Sequence, residues 1–331
     1  MQGLQDVIIG IDGGGTHTRV MVSDLKGNVL SYLEKGAASV YKDLQAQHNV
    51  SQAITEALSL AHKGVHDVRG LAAGIAGYDS EEDLAWVKAL TDIDGLHCPM
   101  WHFNDAVSAH YGALLARPGI AALSGTGSII LAITEDGRYL RNYDFHHYTR
   151  SSSRYIAYDA VFEVLAGNSD ATDIDLVNSM LSHWNVGTIE AFYTLGRNGF
   201  LEDRRLRERD FEKFTPRITE AALAGSSIAC RVSDRAIHQL KIGIELLAPS
   251  FSEPTVSVAF TGSVINSPYF KNKLTDLLSS SGSHKQYELV QPRFSPVTGS
   301  VLYAIHRLIG SSAIDEELLR TLYSSIHARQ S

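Results

Sequence analysis

The chain has 331 residues, of which 44% are hydrophobic and 20% charged, so it is long enough for roughly two globular domains and too apolar for extended disorder. Its formal net charge of −8, from 29 basic and 37 acidic residues, argues against a nucleic-acid-binding protein, which usually presents a basic face. Its two cysteines argue against a disulfide framework, and they exclude a four-thiolate metal site within one chain.

The first residues of the sequence do not resemble a signal peptide. Residues 1–6 lack the basic and apolar regions of a signal peptide, and no apolar run reaches the roughly 18–20 residues that span a bilayer. We therefore expect a cytoplasmic protein with no membrane partner.

The first 116 residues predict a mixed sheet flanked by helices. Residues 7–12, 18–24 and 29–33 read as strands joined by tight turns, which indicates an antiparallel meander. The elements expected next are a helix capped by Asn49, a strand over 68–75, a helix opened by Ser80, a strand over 100–103 and a helix over 106–116. This order is typical of an α/β protein.

The same pattern then recurs. A strand over 120–123, a glycine loop over 124–128 and a strand over 129–134 match residues 7–24 after a shift of 112 residues. We therefore predict a duplicated domain, with a first copy over 1–115 and a second copy with a helical insertion over 116–311. The helix over 312–331 is expected to pack back on the first copy.

The rest of the second half is predicted to be mainly helical. The expected elements are a helix over 155–166, further helices to about 211, a long helix after Pro216 that closes at Pro249, a strand over 256–260, a helix from Pro268, a strand over 287–290, and helices over 296–308 and 315–326.

The segment Asp12-Gly13-Gly14-Gly15-Thr16 follows the first strand. Glycines let backbone N–H groups approach an anion closely, and the hydroxyls of Thr16 and Thr18 add donors. Asp12, at the end of the strand, suits Mg²⁺ held directly or through water. The alternative is an ordinary glycine-rich hairpin.

Two further loops have similar composition. Ser124-Gly125-Thr126-Gly127-Ser128 also joins two apolar strands, and two such loops at matching positions can hold both sides of a triphosphate. Thr261-Gly262-Ser263 follows a late strand and suits packing against an adenosine; the alternative there is a simple strand-to-helix turn.

Asp105 lies between the end of a strand and the start of a helix. It is the candidate general base, accepting a proton from a hydroxyl that attacks the γ-phosphoryl group, with Asn104 orienting it. A plain helix-capping carboxylate is the alternative.

Together these segments resemble the ATPase motifs of the actin/hexokinase/Hsp70 superfamily, and within it the BadF/BadG/BcrA/BcrD ATPase family, which includes N-acetylglucosamine kinase. The motifs, in chain order, are residues 10–18, Asn104-Asp105-Ala106, residues 123–128 and Thr261-Gly262-Ser263-Val264. The resemblance implies two RNase H-like domains with ATP·Mg²⁺ in the cleft between them. It also implies that Asp12 serves the metal, the two loops hold phosphates, Asp105 is the base, and Gly262 and Ser263 lie by the nucleoside.

The acceptor side departs from the pattern of the family's sugar kinases, which carry Gly-Gly-Trp-Gly and Gly-Asp-Glu-Gly-Ser after the second loop. Residues 138–166 contain no glycine here. Asn104 and Ser128 are assigned to the acceptor, and Arg150 and Arg154 are candidate forks for an anionic group. We therefore predict a larger or acid-bearing sugar, such as an N-acetylmuramic acid derivative, in preference to N-acetylglucosamine. The alternative is that these arginines are solvated and their loop packs on its own domain.

The sequence thus predicts an ATP-dependent kinase for a hydroxyl of a sugar or amino sugar, with a homodimer as one option. A non-catalytic, decayed kinase that binds nucleotide or sugar is a second hypothesis. The third is an iron–sulfur activator ATPase of a dehydratase or reductase, which Cys98 and Cys230 disfavour because they lie 132 residues apart.

Overall fold

The computed structural model describes residues 6–282 and 285–330, which form two compact units. Unit 1 comprises residues 1–121 and 290–331, and unit 2 comprises residues 122–289. One boundary between the units falls inside the strand Gly119–Ser124, and the other falls at the last residue of the strand Gln286–Val290.

In its described residues, unit 1 is built on the first sheet and five α-helices. Its strands are β1 (Val7–Gly13), β2 (Thr18–Asp24), β3 (Val29–Lys35), β4 (Val68–Ile75) and β5 (Met100–Asn104). Its helices are α1 (Ala46–Leu60), α2 (Leu84–Leu90), α3 (Asp105–Leu114), α10 (Pro296–Ile309) and α11 (Glu316–Gln330).

Unit 2 contains most of the second sheet and the helical insertion. The strands of the second sheet are β6 (Gly119–Ser124), β7 (Ser128–Ile133), β8 (Tyr139–Arg141), β9 (Thr255–Thr261) and β10 (Gln286–Val290). The helices are α4 (Ser153–Leu165), α5 (Ile174–His183), α6 (Ile189–Arg197), α7 (Arg204–Leu223), α8 (Ser227–Leu247) and α9 (Pro268–Ser279).

The two sheets have the same topology, as the internal repeat predicted. The first has the order β3-β2-β1-β4-β5, and the second, read from its far edge, has the order β8-β7-β6-β9-β10. In the first sheet β1 pairs antiparallel with β2 and parallel with β4. The carboxyl ends of β1, β4 and β5 therefore meet at one edge, where loops and helix starts can carry functional side chains.

The core of unit 1 explains why these segments form strands and helices. Every residue of β1 is buried, and its alternate residues Val7, Ile9 and Ile11 share one hydrophobic cluster with the apolar stripe of α1, formed by Val50, Ala53, Ile54 and Ala57. On the sheet's other side, α10 packs on β1 at Gly10, where an added Cβ would lie 2.6 Å from Val301 Cγ2. That glycine lets the helix approach the strand that ends in Asp12.

The prediction of a helix starting after Pro216 was wrong. Pro216 lies inside α7, which runs on to Leu223, and the break comes at Gly225, whose φ is +92°. Ser226 then caps α8 by accepting a hydrogen bond from Ala229 N. Burial of Phe214 and Ile218 offsets the backbone hydrogen bond that a proline removes from the middle of a helix.

Two other predicted details differ from the structure. Helix α1 begins at Ala46, so Asn49 lies in its first turn, and the Asn49 amide donates to Ala37 O rather than capping the helix. Strand β8 was not predicted, because three residues are too short to show a strand period.

The division into units differs from the predicted domain boundaries over residues 290–311. Helix α10 packs on α3 and β1, which places it in unit 1. Helix α11 packs on β3, and Ser325 Oγ accepts a hydrogen bond from Val29 N at 2.8 Å. Across the residues that the structure describes, none of the helices combines the length and apolarity that crossing a bilayer requires.

Candidate functional site

Asp12 is a buried carboxylate at the end of β1. Strand pairing aligns Asp12 with Arg19 on β2, and Arg19 with Glu34 on β3, so the three side chains form a row across the sheet. Arg19 Nη1 lies 3.3 Å from Asp12 Oδ2, and Arg19 Nε lies 2.9 Å from Glu34 Oε2. Burial raises the pKa of Asp12 above its usual range, while Arg19 opposes that shift.

Asp105 opens α3, directly after β5. Asn104 caps the helix, because its side chain accepts a hydrogen bond from Ala106 N at 3.0 Å. Burial, together with the nearby carboxylates of Asp12 and Asp79, raises the pKa of Asp105 to about 7. Unit 1 thus brings together the predicted base and the predicted metal carboxylate.

Buried hydroxyls and glycines fix the positions of these two carboxylates. Ser300 on α10 donates to Ile11 O at 2.7 Å, and its Oγ lies 2.6 Å from Ser108 Oγ on α3. A Cβ on Gly299 would lie 1.9 Å from Ser108 O, so α3 and α10 are in backbone contact there. The helix carrying Asp105 and the strand carrying Asp12 are therefore joined through α10 by a buried, close-packed contact.

The first glycine loop is a tight hairpin connection between β1 and β2. Gly14 N donates to His17 O at 2.8 Å, and a Cβ on Gly13 would lie 2.7 Å from Ala38 Cβ. Thr16 is exposed at the tip, near Gly15, whereas Thr18 is fully buried. Within the described part of the chain, no hydrogen-bond partner reaches Thr18 Oγ1. Thr16 is therefore the more accessible of the two predicted hydroxyl donors.

The second glycine loop, residues 124–128, lies in unit 2 against the segment 149–153. Ser128 Oγ is 2.5 Å from Thr149 Oγ1 and 2.6 Å from Ser151 Oγ, and Ser124 Oγ donates to Ser151 O. Gly125 O accepts a hydrogen bond from Ser153 N at 2.8 Å. The glycine-free segment thus places hydroxyls, rather than open backbone, beside Ser128.

The third predicted loop touches the second. Val264 N and Ile265 N both donate to Ser124 O at 3.1 Å. Gly262 has a φ of +105°, and a Cβ there would lie 2.4 Å from Ser124 O. Only glycine satisfies both the backbone conformation and the close approach. Unit 2 therefore brings together Gly125, Thr126 and Gly127 of one loop with Gly262 and Ser263 of the other.

Arg150 and Arg154 are engaged within unit 2. Arg150 is exposed and alternates with the buried Thr149 and Ser151, and its Nη2 lies 3.3 Å from Asp159 Oδ1. Arg154 Nη1 lies 2.6 Å from Glu208 Oε2, and its guanidinium stacks over the ring of Tyr155. The structure does not bring Arg150 to the hydroxyls around Ser128, and this geometry favours the alternative in which both arginines pack on their own unit.

Sequence reasoning missed several polar residues at these positions, namely Arg19, Glu34, Asp79, Thr149 and Ser151. The alternation of side chains along β2 offered one signal. Arg19 lies between the buried Thr18 and Val20, so its side chain is on the other face of the sheet from theirs. Asp12, the residue paired with Arg19 on β1, is on the same face as Arg19. The contacts of Asp79 and Thr149 depend on loop geometry, for which the sequence held no signal.

The residues at Asp12 fit a magnesium ion. Magnesium prefers oxygen ligands and is usually bound by one or two carboxylates together with substrate phosphates. Asp12 supplies a buried carboxylate with Asp105 as a second acid nearby, and Arg19 offsets part of the charge of Asp12. Among residues 6–282 and 285–330, no three acidic, histidine or cysteine side chains form a cage by themselves, so phosphate oxygens would have to complete the coordination.

Comparison with solved structures identifies the fold. The chain is similar to the structure of a candidate N-acetylglucosamine kinase from Chromobacterium violaceum, with a TM-score of 0.69 and 21% identity over 90% of this chain and 98% of that one. It is also similar to a ROK family glucokinase from Streptomyces griseus, solved with glucose and AMPPNP, with a TM-score of 0.53 and 19% identity over 98% of this chain and all of that one. The fold is therefore the duplicated two-domain α/β fold of actin-like ATPases, as predicted.

Sequence comparison agrees with the motifs. Residues 9–144 match the model of the BadF/BadG/BcrA/BcrD ATPase family, which confirms the resemblance and implies ATP as the nucleotide. The chain is 24% identical over 270 residues to an N-acetylmuramic acid/N-acetylglucosamine kinase of Clostridium acetobutylicum, covering 78% of this chain and 85% of that protein. It is 22% identical over 301 residues to a glucosamine kinase of Vibrio cholerae, covering 89% and 95%. The decayed-kinase and iron–sulfur alternatives are not favoured by these similarities.

Proposed function

We propose that the protein is an ATP-dependent kinase that transfers the γ-phosphoryl group to a hydroxyl of a sugar or amino sugar. The observation that carries this proposal is the pair formed by Asp105 and Asp12 in unit 1. The Asp105 carboxyl group, with a pKa of about 7, is matched to general-base catalysis near neutral pH. It lies at the start of a helix, near the buried carboxylate of Asp12, which is the candidate magnesium ligand.

Asp105 acts on the acceptor hydroxyl. As the hydroxyl oxygen forms its bond to the γ-phosphorus and the bond to the β-phosphate oxygen breaks, the hydroxyl proton passes to the Asp105 carboxylate and ADP leaves. Asn104 serves this step by holding the first turn of α3 in place. All three of its observed side-chain hydrogen bonds go to protein atoms.

The loops bind the nucleotide in this proposal. The two glycine loops, residues 13–16 and 124–127, would lie against the phosphates, with the hydroxyls of Thr16 and Thr126 donating to phosphate oxygens. The amides of Gly14 and Gly125 already donate within their own loops, to His17 O and Gly127 O. Gly262 and Ser263 would lie by the nucleoside. Thr18, which is buried at the start of β2, would help to fix the position of the first loop. Magnesium, when bound by Asp12, would offset the negative charge of the phosphates.

The relatives support an amino sugar as the acceptor, because two of them are named for glucosamine or N-acylated amino sugars. Ser128, with the hydroxyls of Thr149 and Ser151 around it, is the candidate acceptor contact in unit 2. This cluster suits the recognition of neutral hydroxyl groups, since each hydroxyl can donate one hydrogen bond and accept two.

A coupled ADP-release assay tests the proposal. The purified protein is given Mg·ATP and, separately, glucosamine, N-acetylglucosamine, N-acetylmuramic acid and glucose. We expect ADP release that depends on one or more amino sugars and a matching sugar phosphate by mass spectrometry. Acceptor-independent ADP release, or none with any sugar, would contradict the proposal.

A further inference from the structure

Asn104 is held from outside its own helix by the loop that follows β4. While its Oδ1 accepts from Ala106 N, its Nδ2 donates to Asp79 Oδ1 at 3.0 Å and to Tyr78 O at 3.2 Å. The two amide hydrogens and the carbonyl oxygen therefore all have partners. The orientation of the amide, and with it the cap on α3, depends on this loop.

The loop itself is fixed by Asp83. Asp83 Oδ2 accepts from the backbone N–H groups of Asp79 and Ser80, and its Oδ1 accepts from Trp86 Nε1 at 3.0 Å. The hydrogen bond from Trp86, with those from the two amides, lowers the pKa of Asp83 to about 2. The backbone of Asp79 is thus held by a carboxylate that remains ionised, and its side chain is placed to meet Asn104.

The far side of the loop is also built for a fixed position. Gly77 turns the chain with a φ of +87°, and a Cβ there would lie 3.4 Å from the ring of Tyr41. Three residues earlier, on β4, a Cβ on Gly74 would lie 3.3 Å from the Cα of Asp105. The end of β4, the loop and the first turn of α3 are therefore in contact around the base.

From this geometry we propose that Asp79 is a positioning residue for Asp105, acting through Asn104. The proposal rests on the proposed function, since it assigns a role to a third carboxylate in the same site. The Asp79 carboxylate fixes which way the Asn104 amide points, the amide fixes the first turn of α3, and that turn aims Asp105 at the acceptor hydroxyl. Displacing a catalytic group by about 1 Å can cost roughly 100-fold in rate, so the effect falls on turnover rather than on nucleotide binding.

The test compares Asp79→Ala, which removes the acceptor of the hydrogen bond, with Asp79→Asn, whose carbonyl oxygen retains it. We expect Asp79→Ala to lower kcat by roughly 10- to 100-fold with the KM for Mg·ATP changed less than about twofold. Asp79→Asn should stay within about threefold of the wild type. Asp92→Ala, an exposed acid of the same unit, is the matched control and should behave as the wild type.

Amide hydrogen exchange supplies a readout that does not need turnover. In Asp79→Ala the Ala106 N–H, capped by Asn104, should exchange faster than in the wild type, and in Asp79→Asn it should not. Wild-type kcat in Asp79→Ala, equal losses in the two variants, or unchanged exchange at Ala106 would each overturn the proposal.

The two proposals fail in different ways. If the wild type phosphorylates no sugar, the proposed function fails, and the exchange at Ala106 alone then decides whether Asp79 holds the cap. If the wild type is active and Asp79→Ala equals it in kcat and in exchange, only the positioning role fails.

Discussion

Replacing Asp105 by asparagine should greatly slow turnover and, at the same time, make the folded protein more stable. The folded protein holds the pKa of Asp105 at about 7, against 3.8 for an ordinary aspartate, because burial and neighbouring carboxylates disfavour its charge. A group whose pKa is raised by folding contributes stability below its unfolded pKa and loses that contribution as the pH rises through its folded pKa. Above pH 7 the wild type therefore bears the full cost of the charged side chain, and Asp105→Asn does not.

The size of the gain follows from the shift. Roughly three pH units at 1.36 kcal/mol each give an upper bound of about 4 kcal/mol. Asp105 retains some solvent contact, which reduces this to an expected gain of about 1–3 kcal/mol at pH 8, shrinking toward zero near pH 4. Turnover of the same variant should fall by roughly two to four orders of magnitude, the usual scale for a lost general base.

Urea unfolding measures the effect, at pH 8 and pH 4.5, without nucleotide and with EDTA. Asp92→Asn, which removes an exposed acid from the same unit, is the control and should change stability by less than about 0.5 kcal/mol. Equal stability of Asp105→Asn and wild type at pH 8 would refute the reasoning. So would a gain of the same size at both pH values, because ionisation would then not be its cause.

Three further predictions follow from buried or paired groups. Gly262→Ala should lower the unfolding free energy by more than about 2 kcal/mol and weaken Mg·ATP binding, because the added Cβ would overlap Ser124 O and the backbone φ at this residue is positive. Gly187→Ala is the control, since Gly187 has open space around it, and it should change neither quantity. Calorimetry measures both the stability and the binding. Burial lowers the pKa of His110 to about 4, so the contribution of His110 to the unfolding free energy should fall by about 3 kcal/mol between pH 6.5 and pH 4. Urea titrations measure it as the difference between wild type and His110→Gln, a comparison in which the opposite pH effect of Asp105 cancels; parallel pH curves for the two proteins would contradict this. Arg150→Ala should leave the ratio of kcat/KM for N-acetylmuramic acid and N-acetylglucosamine unchanged, and a loss of activity confined to the acidic sugar would restore a role for this arginine in the acceptor site.

The fold could be predicted where local patterns are long or repeated. The match between residues 12–16 and 124–128 predicted the duplication, because a glycine loop between two apolar strands is a local feature that survives in each copy. Pro216 misled the prediction because tertiary packing of α7 overrides the cost of a proline inside a helix. The Gly225-Ser226 pair was the better signal for a helix boundary.

Part of the candidate site could likewise be predicted from the sequence, and part could not. Asp12 and Asp105 could be placed from the sequence, since each stands at the end of a clear strand. The residues of the acceptor side could not be placed from the sequence. Thr149 and Ser151 contact Ser128 because of the conformation of an irregular loop, and such a loop has no sequence periodicity from which its contacts could be predicted. Arg150 and Arg154 were chosen by charge alone, and their partners, Asp159 and Glu208, lie on helices whose packing no local pattern reveals.

Phosphoryl transfer under single-turnover conditions tests the central claim most directly. Wild type and Asp105→Asn are each mixed with Mg·ATP labelled in the γ-phosphate and with the preferred amino sugar, after the affinity of both proteins for Mg·ATP has been measured. The account predicts labelled sugar phosphate with the wild type, transfer slowed by at least about 100-fold in the variant, and equal affinity for the nucleotide. Equal transfer rates in the two proteins, or label released only as inorganic phosphate by the wild type, would contradict it.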